Sequence, residues 1–334
     1  RDLHSFPTRR SSDLSLTFTP TDTTNYNTKN GIATISIAKA AGSISYATTS
    51  VSKTYGNSAF TNPLTKSGDG TVTYSSSNTS VATVNSSGQV TIAAAGKATI
   101  TATVTDGTNY TYATKTASYT LSVAKATPTV TAPTEKSLTY SGAAQTLINA
   151  GSTTGGTLQY KLGSGSYGTG LPSATAKGDY TVYYKVVGNS NYNDVEEKSI
   201  TVSIAAKALT ITAKDQSVSY GTAISTGTSQ VTVSGLVSGD SLTAITLTQS
   251  TTNVTTSGTI TPSAAATTNG AGNYNITYNT GKLTITSVAP VKTDPAKATG
   301  LTFNGSAQNL VTAGSSSHGT FSYKLSTASS YGSS

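Results

Sequence analysis

Hydrophobic and polar residues alternate one by one along much of this chain. In the stretch KATITATVT, every second side chain is apolar and the residues between them are lysine or threonine. The apolar set is Ala98, Ile100, Ala102 and Val104. Because successive side chains of a β-strand point to opposite faces, this period of two predicts a strand with one buried face. The same alternation recurs throughout, so the sequence predicts an all-β fold.

Two stretches also place turn residues between short apolar runs. VATVNSSGQVTI predicts a hairpin with strands over residues 81–84 and 90–92, in which Gly88 supplies the positive φ of the turn. NITYNTGKLTIT, from Asn275, is the second predicted hairpin, with Gly281 in the same role.

A longer predicted strand, KGDYTVYYKVV, has two different faces. One face carries Tyr180, Val182, Tyr184 and Val186, and the other carries Thr181, Tyr183 and Lys185. The spacing Gly178-x-Tyr180-x-Val182 resembles the tyrosine-corner strand of immunoglobulin-like sandwiches, with valine where antibody domains have cysteine. Such a domain would depend on packing alone, and about 80 residues allow a modest core.

Two sequence markers recur with a period near 82 residues. The first is an Asn-Tyr pair, whose tyrosines are Tyr26, Tyr110, Tyr192 and Tyr274. The second is an aromatic residue followed closely by glycine, as in Tyr55-Gly56, Tyr140-Ser141-Gly142, Tyr220-Gly221 and Phe303-Asn304-Gly305. Two independent markers at one period indicate a tandem array. Because the Asn-Tyr tyrosines recur at one position in repeats of different type, we expect them to serve packing or a turn.

The markers divide the chain into six predicted segments. They are residues 1–14, 15–40 (the C-terminal part of a truncated repeat), 41–126, 127–207, 208–288 and 289–334. The last is predicted to be the N-terminal part of a truncated copy of 127–207, because the stretches from Leu138 and Leu301 match at a constant offset of 163. Short junctions containing Lys39, Lys125 and Lys207 separate the repeats, so we expect neighbours to abut in an elongated, semi-rigid rod.

Composition narrows the class of protein. The 334 residues are 35% hydrophobic and only 10% charged, with serine and threonine abundant and cysteine, methionine and tryptophan absent. A chain without cysteine has neither disulfides nor thiolate metal sites. No apolar run approaches the roughly 20 residues that a membrane-spanning helix needs.

The first fourteen residues, RDLHSFPTRRSSDL, contain all three arginines of the chain. Over its whole length this segment resembles the translation, in one frame, of a widely used short-read sequencing adapter. We therefore expect residues 1–14 to be an artefact, disordered and packed against nothing. Without them the 21 basic residues fall to 18 and the 13 acidic residues to 11, so the net charge falls from +8 to +7.

The repeats resemble known bacterial families. Segment 41–126 resembles a group 2 bacterial immunoglobulin-like domain through YSSSNTSVATVNSSGQVTIAAAGKATITA. Segment 208–288 resembles the MBG-type repeat of bacterial surface proteins through LTITAKDQSVSYGTA and NYNITYNTGKLTIT. Segments 127–207 and 289–334 are similar to a further immunoglobulin-like repeat. These resemblances imply tandem small β-sandwich and MBG-type domains in a large secreted protein of the bacterial cell surface, of the kind called an adhesin or stalk.

Candidate catalytic residues are few. Beyond residue 14 the one histidine of the sequence is His318, whose counterpart in the other copy is Gly155, so a solvated loop histidine is the better interpretation than a triad base. Glu196 and Glu197 are adjacent, and on a strand they point to opposite faces, which disfavours paired acid–base catalysis.

Other ligand classes find little support either. Asp69, Asp106 and Asp240 lack the run of acidic residues that a calcium loop needs, and we interpret each as a turn former. The lysines are dispersed rather than clustered, which argues against nucleic-acid binding. We predict no catalytic, cofactor-binding or metal-binding residues.

The sequence therefore predicts a non-catalytic structural array, extracellular or on the bacterial cell surface, that acts as a stalk or spacer. One alternative is a binding module that recognises a glycan or a host or extracellular protein. A second is an accessory region of a large secreted enzyme. We expect a monomeric rod that binds no nucleic acid and does not insert into a membrane.

Overall fold

The structure, a computed structural model, describes residues 11–333. Its elements are β-strands and two short 3₁₀ helices, Thr228–Gln230 and Ala271–Asn273. The predicted all-β fold class of tandem β domains is confirmed.

The strands fall into groups that follow the repeats. The first two are β1 (Ser11–Phe18) and β2 (Lys29–Ser36). Around segment 41–126 they are β3 (Ala40–Tyr46), β4 (Ser50–Thr54), β5 (Phe60–Thr61), β6 (Leu64–Ser67), β7 (Val72–Ser76), β8 (Ala82–Val84), β9 (Gln89–Ile92), β10 (Gly96–Val104), β11 (Tyr110–Tyr112) and β12 (Thr116–Ala124).

Segment 127–207 holds ten strands, several of them only two residues long. They are β13 (Val130–Thr131), β14 (Thr134–Glu135), β15 (Leu138–Thr139), β16 (Gln145–Thr146), β17 (Ile148–Asn149), β18 (Ser152–Thr153), β19 (Thr157–Leu162), β20 (Ser173–Ala174), β21 (Gly178–Val187) and β22 (Val195–Ala205).

Longer strands return in segment 208–288, and short ones follow it. They are β23 (Lys207–Ala213), β24 (Gln216–Ser219), β25 (Val231–Ser234), β26 (Leu242–Gln249), β27 (Thr255–Thr267), β28 (Tyr274–Asn279), β29 (Gly281–Thr286), β30 (Lys292–Thr293), β31 (Ala296–Lys297), β32 (Val311–Thr312), β33 (Ser315–Ser316), β34 (Ser322–Tyr323) and β35 (Gly332–Ser333).

The chain forms two compact units, and segment 127–207 contributes residues to both. Among the described residues, the first unit comprises 11–136 together with Thr146–Ser173 and Tyr180–Val202. The second comprises Ser137–Gln145, Ala174–Asp179 and the residues from Ser203 onward.

In the first unit, segment 41–126 builds a core between sheets. One sheet has the order β4-β12-β10-β7, and two three-stranded sheets have the orders β11-β3-β6 and β5-β9-β8. The predicted strand KATITATVT is confirmed as part of β10, in which Ala98, Ile100, Ala102 and Val104 are all buried. Each fully buried aliphatic side chain contributes roughly 1.5–3 kcal/mol. The alternation seen in the sequence thus supplies one wall of this core.

The first predicted hairpin is also confirmed. Strands β8 and β9 pair antiparallel from Ala82↔Ile92 to Val84↔Val90. Gly88 has φ +79°, and the Asn85 side-chain oxygen accepts the backbone N–H groups of Ser87 (3.0 Å) and Gln89 (2.9 Å). An asparagine that caps its own turn and a glycine in the left-handed region close the hairpin locally.

Strand β21 shows the predicted two faces. Val182, Tyr184 and Val186 are buried, whereas Tyr183 and Lys185 of the opposite face are partly exposed. In the first unit, β19 pairs antiparallel with β21 from Thr157↔Val187 to Leu162↔Val182.

The second predicted hairpin is wrong. In the second unit, β28 pairs in parallel with β23 in the sheet β25-β23-β28, whereas β29 belongs to the sheet β24-β29-β27-β26. Gly281 therefore starts a strand in the other sheet. A Cβ atom there would lie 2.7 Å from the carbonyl oxygens of both Ala213 and Lys214, so glycine is needed for close backbone approach.

The artefact origin of residues 1–14 stays a prediction, and residues 1–10 lie outside the described residues. Ser11–Leu14 lie in β1, which pairs antiparallel with β2, so the expectation that this segment packs against nothing is wrong for these four residues. The Thr34 hydroxyl donates to the Asp13 carboxylate at 2.8 Å. Leu14 remains 42% exposed, because this two-stranded ribbon has a backbone partner but encloses no core over its described residues.

Two tyrosine hydroxyl groups in the core of segment 41–126 differ in hydrogen bonding. The Tyr119 hydroxyl is buried with no hydrogen-bond partner among the described residues, and burial raises its pKa to about 12. The Tyr112 hydroxyl, also buried, accepts the backbone N–H of Gly70 at 3.2 Å. A buried polar atom without a partner destabilises the folded state, whereas a bonded one does not.

We expect Tyr119→Phe to stabilise this repeat by about 1 kcal/mol, because it removes an unsatisfied hydroxyl and keeps the ring. Tyr112→Phe is the matched control and should destabilise the repeat by about 1–2 kcal/mol, since it leaves the Gly70 N–H unpaired. Native-state hydrogen exchange of the β10 amides measures the opening free energy of this repeat. A loss of stability in Tyr119→Phe equal to that in Tyr112→Phe would contradict the assignment.

Candidate functional site: the contacts between adjacent repeats

The aromatic-glycine marker lies at the same end of each complete repeat. The backbone N–H of its tyrosine donates to a carbonyl oxygen at the end of the last strand of the same repeat. The pairs are Tyr55 with Ala124, Tyr140 with Ala205 and Tyr220 with Thr286. The distances are 2.9, 2.8 and 2.8 Å. The last strand leads directly into the following repeat, so this marker faces the next repeat along the chain.

The glycine of the marker has a conformational role. Gly56, Gly142 and Gly221 have φ values of +88°, +80° and +84°, in the left-handed region that glycine adopts without strain. The glycine turns the chain immediately after its tyrosine, or one residue later at Gly142.

The Asn-Tyr marker lies at the opposite end of each repeat. Its tyrosine pairs in parallel with the first residues of the repeat, in the register Tyr110↔Ala40, Tyr192↔Ala126 and Tyr274↔Lys207. Since these first residues follow directly from the preceding repeat, the Asn-Tyr turn faces backwards along the chain.

The two markers meet in the first unit, between segments 41–126 and 127–207. The rings of Tyr55 and Tyr192 lie edge to face, with centroids 5.4 Å apart and an interplanar angle of 79°. Beside them the Asn191 side-chain oxygen accepts the backbone N–H of Ala95 at 2.9 Å. Ala95 immediately precedes Gly96, the first residue of β10.

The second unit repeats this arrangement between segments 127–207 and 208–288. Tyr140 and Tyr274 lie edge to face at 5.4 Å and 83°. The Asn273 side-chain oxygen accepts the backbone N–H of Lys177 at 2.9 Å, and Lys177 immediately precedes Gly178, the first residue of β21. At both junctions, therefore, the tyrosine of the Asn-Tyr marker packs on a tyrosine of the preceding repeat, and the asparagine accepts a backbone N–H from that repeat.

Tyr274 is fixed by a further pair of hydrogen bonds within its own repeat. Its hydroxyl donates to the Asp240 carboxylate at 2.7 Å and accepts the Val237 N–H at 3.3 Å. Burial and then the bond to Asp240 raise the pKa of Tyr274 to about 12, so the ring stays neutral at physiological pH.

The junction lysines bind the same turn. Lys39 Nζ donates to the Gly107 carbonyl at 2.9 Å, and Lys125 Nζ donates to the Asn189 carbonyl at 2.7 Å. Both carbonyls lie two residues before the asparagine of an Asn-Tyr marker. Each lysine therefore ties the entry of a repeat to the turn that faces the preceding one.

The contacts across one junction are modest in energy. An edge-to-face aromatic pair contributes about 0.5–1.5 kcal/mol beyond its buried area, and a hydrogen bond contributes about as much. A few kcal/mol restrict bending between neighbouring repeats but do not fuse them into a single cooperative unit.

A second cluster lies on the partly exposed face of β21, within the first unit. Lys161 Nζ lies 4.8 Å from the ring centroids of both Tyr167 and Tyr183, and Lys185 Nζ lies 4.3 Å from that of Tyr167. Lys161 also pairs with Glu197 at 2.8 Å, and the Tyr167 hydroxyl donates to the same carboxylate. We call these five residues the Lys-Tyr cluster.

Electrostatics in the Lys-Tyr cluster follow from these contacts. The Lys161 ammonium, and then the Tyr167 hydroxyl, hold the pKa of Glu197 below its ordinary value. Burial and then the bond to Glu197 raise the pKa of Tyr167 to about 12. In segment 289–334 one contact recurs, because Lys324 Nζ lies 4.8 Å from the Tyr331 centroid. Lys324 is the counterpart of Lys161 at the offset of 163.

The residues weighed in the sequence for catalysis or metal binding lie apart. His318 is exposed, and its Nδ1 lies 2.6 Å from the adjacent Ser317 hydroxyl. Asp69 accepts the Asn109 N–H, and Asp106 accepts the Tyr112 N–H and pairs with Lys115 at 2.7 Å. Glu196 lies on β22 and is exposed.

The described residues contain neither a metal-ligand cluster nor a candidate membrane-spanning helix. Within residues 11–333, no group of three or more histidine, aspartate or glutamate residues is placed to hold a metal ion. No helix in that range is both long enough and apolar enough to cross a bilayer.

The junction geometry combines residues that the sequence singled out separately. The sequence showed both markers and the lysines, but it did not indicate that the markers contact each other or which amide the asparagine binds. The sequence pattern did not predict the Lys-Tyr cluster. Its one sequence signal is the alternation of Tyr183 and Lys185 on the polar face of a strand.

Two family profiles match parts of the chain. Residues 61–108 match the intimin immunoglobulin-like domain, and residues 209–284 match the MBG domain of the YGX type. Tandem immunoglobulin-like and MBG-type repeats are thereby confirmed, and domains of these families are typically non-catalytic repeat modules. None of the curated proteins matches the chain.

Several solved structures show a low overall similarity. The chain is 11% identical to Drosophila N-cadherin EC1-3, with a TM-score of 0.27, covering 73% of this chain and 99% of that one. The immunoglobulin domains 1–5 of Sidekick-1 are 14% identical to the chain, with a TM-score of 0.23, and the match covers 81% of this chain and 66% of that one. The S-layer protein rSbsC is 16% identical, with a TM-score of 0.22. The match covers 76% of this chain and 44% of that one, so the chain spans less than half of that protein.

We expect the double variant Asn191→Ala/Tyr192→Ala to loosen the junction between segments 41–126 and 127–207, because it removes contacts of about 1–3 kcal/mol. The measurement is the width of the distance distribution between spin labels at Ser86→Cys and Ser164→Cys, both exposed positions in the first unit. Labelling is specific because the chain has no cysteine.

Tyr26→Ala is the control for this experiment, because Tyr26 is exposed and lies outside both repeats of this junction. The distribution should broaden in the double variant and stay narrow in the control. Equal widths in the parent and the double variant would show that these contacts do not order the junction.

Proposed function

We propose that this array of tandem immunoglobulin-like and MBG-type repeats is a non-catalytic stalk or spacer in a large secreted protein of the bacterial cell surface. The observation that carries the proposal is the repeated junction, in which Asn191-Tyr192 and Asn273-Tyr274 make the same contacts to the preceding repeat. A spacer needs restricted bending at every junction, and one contact set used twice supplies it.

The family matches support the location. The intimin immunoglobulin-like domain and the MBG domain match two different segments of this chain. Repeats of these two types are typical of bacterial surface proteins. A chain without cysteine needs no oxidative step to fold, since each repeat depends on its own packed core.

Tension along the array would act on one structural feature of every repeat. In each of the three complete repeats an early strand pairs in parallel with the last strand, as β4 does with β12, β15 with β22 and β24 with β29. Pulling the chain ends apart draws two parallel neighbours in opposite directions. All the hydrogen bonds between them are then loaded together in shear.

The extent of this parallel pairing differs among the repeats. It covers five residue pairs in segment 41–126, four in segment 208–288 and two in segment 127–207. Repeats with fewer pairs should yield at lower force, because fewer hydrogen bonds share the load.

We expect single-molecule stretching of the chain to unfold segment 127–207 first and segment 41–126 last. The events are assigned with Leu121→Ala, which empties a fully buried site of segment 41–126 and should cost about 2–5 kcal/mol. It should lower the force of the last event alone. If segment 127–207 were the strongest repeat, this account of load bearing would be wrong, and unfolding of all repeats at negligible force would contradict the spacer function.

The Lys-Tyr cluster favours a second function, recognition of an acidic glycan. Tyr167 and Tyr183 offer aromatic rings and Lys161 and Lys185 offer cationic groups, all on one partly exposed sheet face. A sugar carboxylate would replace Glu197 as the partner of Lys161, and sugar rings would pack on the tyrosine faces.

We expect glycan-array binding of the full chain to be confined to acidic glycans and to fall about tenfold or more in Tyr167→Ala/Tyr183→Ala, which corresponds to about 1.4 kcal/mol or more. Tyr26→Ala is the matched control, because Tyr26 is also exposed but lies outside the cluster. Binding that is absent in the parent chain, or equal in the parent and the double variant, would remove this second function and leave the spacer proposal unaffected.

A further inference from the structure

Tyr220 holds, in segment 208–288, the position that Tyr55 and Tyr140 hold in the two preceding repeats. Its N–H donates to Thr286 at the end of the last strand, and β24 pairs in parallel with β29 up to Ser219↔Thr286. Gly221 follows in the left-handed conformation, as Gly56 follows Tyr55. Segment 208–288 therefore presents the same forward-facing end as the other repeats.

This end differs from the other two in being open. Tyr140 is 2% exposed beneath Tyr274, whereas Tyr220 is 49% exposed. A groove of about 350 Å³ lies at Tyr220, lined also by Gly221, Thr222, Ala223, Gln249 and Thr252. An aromatic ring at the place where its two counterparts are covered by another tyrosine identifies a docking surface.

The backbone amide needed for the second contact is present as well. In segment 41–126, Gly96 of β10 pairs with Val123, and Val123 pairs with Lys53, two residues before Tyr55. In segment 208–288, Thr255 of β27 pairs with Ile285, and Ile285 pairs with Val218, two residues before Tyr220. The register of β27 against β29 shifts between Thr255 and Gly258, so Thr255 is matched to Gly96 through its strand partner.

Because Ala95 precedes Gly96, the amide that corresponds to Ala95 is that of Val254. The Val254 side chain is 54% exposed, and Val254 lies two residues from Thr252 of the groove wall. The groove thus has the two groups that an Asn-Tyr turn contacts at the other two junctions, a tyrosine ring and a nearby backbone amide.

We propose that this groove is the docking site for the Asn-Tyr turn of a further repeat of the 127–207 type. The incoming tyrosine would lie edge to face against Tyr220, and the incoming asparagine would accept the Val254 N–H. The occupant follows from the repeat order. Segment 289–334 directly follows segment 208–288 and matches segment 127–207 at the offset of 163, so a repeat of the 127–207 type is the neighbour that faces this end. The inference rests on the proposed function, because it extends the same junction to a third repeat end.

The test supplies an Asn-Tyr turn in a chimeric chain, in which residues 289–334 are replaced by the sequence of residues 126–207, since residue 289 corresponds to Ala126 at the offset of 163. Nitration of Tyr220 by tetranitromethane is followed by peptide mass spectrometry, with the exposed Tyr26 as the internal reference. The Tyr220 rate should fall on the order of tenfold relative to the parent chain, as expected for a docked turn that opens only part of the time. The control chimera carries Tyr192→Ala in the inserted copy alone and should restore fast nitration.

A second chimera, with residues 208–288 inserted instead, supplies Asn273 and Tyr274 as the turn, so that the result does not depend on one insert. Fast nitration of Tyr220 in both chimeras, with the buried tyrosines of the inserts protected, would overturn the proposal. Inserts that stay unfolded in both would also count against it, because docking on Tyr220 should stabilise them.

The same experiment separates this proposal from the proposed function. Tyr140 should be protected in the parent chain, and its rapid nitration would contradict the ordered junctions themselves. Protection of Tyr140 without any effect on Tyr220 contradicts the docking site alone.

Discussion

The parallel pairing of an early strand with the last strand is the constraint on which the architecture of every repeat depends. It carries the aromatic-glycine marker to the end of the repeat where the chain leaves, at Tyr55, Tyr140 and Tyr220. A parallel pair cannot be closed by a tight turn, so most of the sequence of the repeat connects its two strands. Consequently, one hydrogen-bonded ladder both closes the core and positions the residues that meet the next repeat.

Each junction contributes little energy compared with each core. Fully buried side chains such as Ile100, Leu121 and Ile260 stabilise their own repeats, and each is comparable in energy to the whole set of contacts at one junction. Repeats can therefore fold as nearly independent units while their neighbours limit the bending between them. An array of this kind can be lengthened or shortened by whole repeats without redesign of any core.

The Lys-Tyr cluster stands apart from this logic. Its residues make none of the junction contacts described above, and Lys161 contacts two tyrosine rings and a carboxylate on a partly exposed face. Exposed ion pairs contribute little to stability. The proposed glycan recognition depends on this cluster alone, separately from the proposed spacer.

Local patterns determined a large part of this structure. The alternation around Ile100, the hairpin turn at Gly88 and the period of the two markers are written in the sequence, because strand faces and tight turns depend on neighbouring residues. Sheet membership was decided only by tertiary pairing. The stretch around Gly281 has a short glycine loop between two strands, yet each strand finds its partners in a different sheet. The contact of Tyr192 with Tyr55 was likewise beyond local reasoning, because it joins residues of different repeats through the folded ends of both.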